Sequence, residues 1–149
     1  MPSLNIPARE NFQFNSPIHI RWADIDALQH VNNAVYLSYF EQARIDYFRE
    51  VVRWNWDEVG MILASNTIHY IEPLFPRDKA AVHMRTSRIG NKSFEMEYLV
   101  VKQTPAGEKI ITVASAVLVV YDYRNDKTIP LPAPYRDAIL AFEKGLTVD

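Results

Sequence analysis

RWADIDALQHVNNAVYLSYFEQAR, from Arg21 to Arg44, is the stretch whose reading decides the fold. Asp24 and Asp26 leave an extended segment together, and His30, Asn32 and Asn33 follow within one short turn. From about Asn33 the pattern turns helical. Tyr36, Leu37, Phe40, Ala43, Tyr47, Phe48 and Val51 share one broad face at 3.6 residues per turn, which predicts a central helix over about 33–52. A carboxylate set just before a helix N-terminus faces free backbone N–H groups and the positive end of the helix dipole. That pairing suits a reaction in which negative charge develops on an oxygen beside a carboxylate.

Upstream, residues 1–16 are polar without a clear period and read as an N-terminal arm. Residues 18–23 predict a short strand, with Ile18, Ile20 and Trp22 alternating with His19 and Arg21. Downstream of the helix, Trp54 and Trp56 are expected to close the core. The pattern then becomes extended. Residues 61–72 form one strand, stopped by Pro73 and Pro76. Residues 79–89 and 92–103 are joined at Gly90 and Asn91, a two-residue hairpin signal. Residues 108–123 form the longest strand, apolar on both faces over 117–121, and so expected to be central and covered twice. Three prolines, Pro130, Pro132 and Pro134, lead into a terminal helix over about 134–145. One long helix followed by an antiparallel meander is an α+β plan in which a curved sheet can wrap the helix.

At 149 residues the chain fits one domain. Its formal net charge of -2 gives no global attraction to nucleic acid or to an acidic membrane surface. Without cysteine there is no disulfide framework, thiol nucleophile or thiolate metal site. Nothing reads as a signal peptide, and no apolar run approaches the roughly 20 residues of a membrane span, so a cytoplasmic location is expected.

Asp26, His30, Val31, Asn32 and Asn33, then Tyr36, Leu37, Phe40, Glu41, Gln42, Ala43 and Arg44, together resemble a known signature. It is that of hotdog-fold acyl-CoA thioesterases of the 4-hydroxybenzoyl-CoA thioesterase superfamily. A weaker likeness continues through Tyr70, Ile71, Glu72 and Pro73 and through residues 88–93. Two positions depart from relatives: Gln29 stands where many carry glycine, and Leu28 stands where plant acyl-carrier-protein thioesterases carry a catalytic asparagine. The resemblance implies a hotdog fold, a five-stranded antiparallel sheet around one long helix, in a single domain over 1–149. It further implies hydrolysis of an acyl-CoA thioester without metal or organic cofactor, in a homodimer or dimer of dimers. Two rival readings are a non-catalytic acyl-CoA-binding hotdog protein and a hydroxyacyl-thioester dehydratase.

Each candidate residue carries a chemical and a plain reading. Asp26 is either a turn aspartate satisfied by backbone N–H groups or, as the resemblance implies, the catalytic carboxylate, acting as nucleophile or as general base. Asp24 is a structural turn residue or half of a proton-sharing pair. Asn33 offers its backbone N–H to a carbonyl oxygen while serving as an ordinary helix-entry residue. His30 either works with Asp26 or packs in the turn. Tyr36 is expected to wall the acyl pocket, with Asn32 beside it as a second substrate-binding residue. Arg44 falls inside the apolar face, where it must snorkel or pair with Glu41, with phosphate binding as the lesser reading. Arg77, Lys79, Arg85, Arg88 and Lys92 are candidates for coenzyme phosphates or plain surface charge. No ligand spacing supports a metal at His19, Asp24, Asp26 and His30, and no G-x-S-x-G motif offers a serine nucleophile.

Overall fold

The computed structural model describes residues 3–149; Met1 and Pro2 of the expected arm lie outside the described residues. The aromatic stripe builds one continuous helix in three parts. A 3-10 turn, Asn33–Val35, leads into α1, Tyr36–Tyr47, and a π turn, Phe48–Val52, ends it. Arg53 stops the helix by taking a left-handed conformation with φ 58°. Tyr36, Phe40, Ala43, Tyr47 and Phe48 are buried as their spacing predicts, whereas Leu37 is exposed and Tyr39 holds a buried place instead.

Around α1 curls an antiparallel sheet of five principal strands: β1 (Phe14–Pro17), β2 (Gly60–Tyr70), β3 (Ala80–Ile89), β4 (Ser93–Thr104) and β5 (Gly107–Asp122). Their spatial order is β1-β3-β4-β5-β2, so β2 is an edge strand. Two short strands extend it: β6 (Lys127–Thr128) on β5 and β7 (Thr147–Val148), parallel, on β3. The pleat divides the residues between two cores. In β4, Phe94, Met96, Tyr98 and Val100 face the helix, while Leu99 and Val101 join Phe12 and Val113 on the outer face. Phe40 stacks on Tyr98 at 4.8 Å between ring centroids, tying the middle of the helix to the middle strand. Truncating a buried ring of this kind costs about 3–5 kcal/mol.

Four expectations are corrected. The first strand is Phe14–Pro17, at the end of the expected arm, and not residues 18–23. Ile18 and Ile20 do pack on the core, but Trp22 is 88% exposed. The Arg21 backbone N–H and guanidinium both bond Asp24, which draws the chain into a 3-10 turn, Trp22–Asp24. The β3–β4 hairpin closes with residues 90–93 between paired Ile89 and Phe94, and the Gly90 N–H reaches the Ser93 carbonyl at 2.8 Å. β5 is interior as expected, yet its outward Val117 and Val119 are only half-buried, so this chain covers that face once. The terminal helix α2 (Ala133–Phe142) does not lie over that outer face either. Tyr135, Ile139 and Phe142 point it at the end of the central helix, where Tyr135 stacks on Trp54 at 4.4 Å. Among the described residues, no helix is long and apolar enough to cross a membrane.

Candidate active site

The turn before the helix is held by Asp24, which is 1% exposed. Its carboxylate accepts the Arg21 backbone N–H at 2.9 Å, the Arg21 guanidinium at 2.9 and 3.1 Å, and the Tyr39 hydroxyl at 2.7 Å. Burial pushes the Asp24 carboxyl upward, but these donors outweigh it and hold it below the usual range. Its backbone carbonyl also takes the Asn32 N–H at 2.9 Å. Asp24 is therefore fully engaged in structure, and the proton-sharing reading has no free oxygen to work with.

Asp26 sits differently. A bridge between Ile25 and Val31 pinches the base of the loop, and the Asp26 N–H meets the His30 carbonyl at 3.1 Å. Gln29 closes the turn at φ 67°, a left-handed conformation that glycine adopts more cheaply. One Asp26 oxygen accepts the Leu28 N–H at 2.9 Å, the expected turn bond, and the other oxygen has no hydrogen bond among the described residues. The side chain is half-buried.

At the helix start, Asn32 caps with its side chain, accepting the Ala34 N–H at 2.9 Å. The Asn33 N–H meets no acceptor among the described residues, while its carbonyl accepts the Tyr70 hydroxyl at 2.6 Å. Asn33, Tyr36, His30, Tyr70, Ile71, Glu72 and Pro73 wall one open cavity of about 240 Å³. His30 reaches it with its ring edge-on to Phe75 and its Nδ1 3.2 Å from the Val31 carbonyl. Tyr36 meets Tyr70 edge-on at 5.0 Å. Three sequence candidates, His30, Asn33 and Tyr36, are therefore brought together; Asp26 and Asn32 flank this cavity in sequence and are not among its walls. Tyr70 and Glu72 enter the site without having been singled out, and their one signal was the weak family likeness around residues 70–73. The Glu72 carboxylate is already paired with Lys109 at 2.5 Å.

Arg44 is 8% exposed, as its helical phase predicts, but the expected pair with Glu41 does not form. Glu41 lies exposed, one turn nearer the helix start. Arg44 instead donates from Nη1 to the Tyr98 hydroxyl at 3.3 Å. Of the basic candidates, Arg85 pairs with Glu97 and Arg88 with Asp149, each at 2.6 Å. Arg77, Lys79 and Lys92 form no ion pair among the described residues.

Comparison with known proteins agrees with this architecture. The family profile described as the thioesterase-like superfamily matches residues 20–141. A thioesterase from Thermus thermophilus, solved in complex with coenzyme A and zinc, is 34% identical, with TM-score 0.77 over 89% of this chain and 95% of that one. The PA5185 protein of Pseudomonas aeruginosa superimposes with TM-score 0.84 at 26% identity, covering 95% of this chain and 99% of its own. The long-chain acyl-CoA thioesterase FadM of Escherichia coli is 24% identical over 125 residues, 82% of this chain and 93% of that protein.

Proposed function

The chain belongs to the thioesterase-like superfamily with the hotdog fold, and from that premise we propose that it hydrolyses acyl-CoA thioesters to a carboxylic acid and free coenzyme A. The observation that carries the reading is the unengaged N–H of Asn33 at the start of a long helix, a residue that also lines a cavity the Asp26 loop precedes in sequence. A thioester carbonyl seated there would receive a preorganised donor, an arrangement whose loss costs about 2.7–4 kcal/mol in other enzymes. Asp26, with one carboxylate oxygen free, supplies the base or the nucleophile. As base it takes a proton from water; hydroxide adds to the carbonyl, and the tetrahedral intermediate collapses by expelling the coenzyme thiolate. As nucleophile it adds to the thioester carbonyl and expels the coenzyme thiolate, forming a mixed anhydride that water then opens. Single turnover in heavy-oxygen water separates the two, because only the second route can leave label in the Asp26 carboxyl.

Tyr36 walls the acyl end and His30 the side nearer Phe75, while Asn32 holds the turn that presents the amide. The working unit in this proposal is a homodimer or a dimer of dimers. Support comes from β2, an eleven-residue edge strand whose Ile62, Leu63 and Tyr70 an isolated chain leaves exposed to water. A copy paired along β2 would also bring its own residues toward the open cavity, and a two-fold pairing gives two equivalent sites. The test is thiol release from a panel of acyl-CoA esters of graded size. Turnover of at least one ester, lost on Asp26→Asn, is expected; silence across the panel would overturn the proposal.

A further inference from the structure

Tyr39 belongs to none of the sequence candidates, and the proposed hydrolysis gives it no part. It is buried in α1 and donates its hydroxyl hydrogen to the Asp24 carboxylate at 2.7 Å. Burial, and then the neighbouring carboxylate, hold the phenol above its ordinary pKa, while the donors around Asp24 outweigh its own burial and hold its carboxyl low. The proton therefore stays on Tyr39 and the charge on Asp24. Such a charge-assisted bond is shorter and stronger than a neutral one.

Asp24 also grips the helix at a second point, because its backbone carbonyl accepts the Asn32 N–H at 2.9 Å. Asn32 caps the helix and Tyr39 lies about two turns further on. One contact fixes a distance; two contacts spaced along an axis also fix a direction. Residues 25–31 hang from Asp24 as a closed loop, drawn shut by the Ile25–Val31 bridge and by the Asp26 N–H on the His30 carbonyl. Asp26 starts about 7 Å from Asp24 at about 3.3 Å per extended residue, so it moves with that anchor. The Asn33 end has supports of its own, the Asn32 side-chain cap and the Tyr70 hydroxyl. All these contacts lie within one chain, and Asp24 is sealed inside it, so the clamp stands independently of any partner on β2.

We propose that Tyr39, acting through Asp24, is a positioning residue that sets the Asp26 carboxylate against the Asn33 amide. The inference rests on the thioesterase reading, in which those two groups act on one carbonyl. Misplacing a reacting group by about 1 Å can cost about 100-fold in rate, so the clamp belongs to kcat and not to binding.

Tyr39→Phe removes the hydroxyl and keeps the ring beside Tyr36. On the best acyl-CoA ester, kcat should fall by about 10- to 100-fold with KM within about twofold of wild type. The same substitution is then made in Asp26→Asn, where no base or nucleophile is left to place. There it should cost less than about twofold further, because the two changes act on one group. A merely structural loss would lower both backgrounds by the same factor, and that outcome overturns the proposal. Asp24→Asn keeps an oxygen for the Tyr39 hydroxyl but drops the charge, and should reproduce part of the kcat loss. Combined with Tyr39→Phe, it should exceed the larger single loss by less than about twofold, whereas losses that multiply would overturn the shared route. Circular dichroism and thermal melting check each fold. Unchanged kcat in Tyr39→Phe, or a loss in KM alone, overturns the proposal in a protein that remains a thioesterase. Silence of the wild type across the ester panel, or full turnover in Asp26→Asn, instead overturns the reading on which it rests, and the proposal with it.

Discussion

Tyr70, at the end of β2, donates its hydroxyl hydrogen to the Asn33 carbonyl at 2.6 Å, and so pins the first turn of the central helix to the edge strand. The carbonyl that accepts belongs to the same residue whose N–H would receive the oxyanion in the proposed mechanism. Tyr70→Phe removes the tether and leaves the ring that meets Tyr36. As a positioning residue, Tyr70 should show a kcat loss of up to about 100-fold with KM nearly unchanged. Stability should fall by only about 0.5–1.5 kcal/mol, the worth of one hydrogen bond. A loss confined to the melting temperature would assign Tyr70 a purely structural part.

Asp26→Asn should keep the fold, because Asn can still accept the Leu28 N–H that closes the turn. Its kcat should drop by on the order of 10²–10⁴. Steady-state turnover on the best ester decides, and a rate near wild type would end the proposed role.

For Arg44→Met, the structure forecasts a small change in stability. Had Arg44 been locked to a buried carboxylate, removing it would strand that charge at about 3–5 kcal/mol. Only the Tyr98 hydroxyl loses a partner here, and the methionine suits the apolar neighbours Phe48 and Met61. Chemical denaturation should place the variant within about 1–2 kcal/mol of wild type. A loss above about 3 kcal/mol would reveal a carboxylate partner supplied from outside this chain.

Two buried groups set the acid limb of stability in opposite directions. Burial, aided by Arg9 and opposed by Glu108, lowers His83 from 6.5 to about 4. The folded state then binds fewer protons than the unfolded one. His83 therefore contributes stability that is whole above pH about 6.5 and lost as pH falls toward 4, by up to about 1.4 kcal/mol per pH unit. Burial raises Glu143 above 4.5, although Tyr47 and the Thr86 N–H resist the shift. Its contribution is whole below 4.5 and lost as pH rises through its folded value. His83→Gln should flatten the acid limb, and Glu143→Gln should steepen it. Melting temperatures measured across this window would expose an error in either sign.

Self-association is the fifth expectation. If β2 pairs with a second copy and completes the cavity at Asn33, specific activity should fall on dilution through the dissociation range. Sedimentation followed on the same samples tests this, and a monomer with full turnover would exclude a shared site.

The sequence by itself determined the central helix, because its aromatic residues recur at the helical period and that period is a local property. It likewise determined the antiparallel meander and the interior place of β5, and the signature between Asp26 and Arg44 was specific enough to indicate the family. What it could not decide was pairing. Residues 18–23 alternate as a strand does, yet contacts within the Arg21, Asp24 and Tyr39 cluster turn them aside. Arg44 and Glu41 are neighbours in helical phase, but one is buried against the Tyr98 hydroxyl of β4 and the other is exposed, so the expected ion pair is missing. Tyr70 and Glu72, nearly forty residues from Asn33, reach its cavity only because β2 runs back along the helix. Local periodicity encodes which face of an element is buried. Which side chain meets which across that face depends on the curvature and register of the assembled sheet, and those are fixed by the whole chain at once.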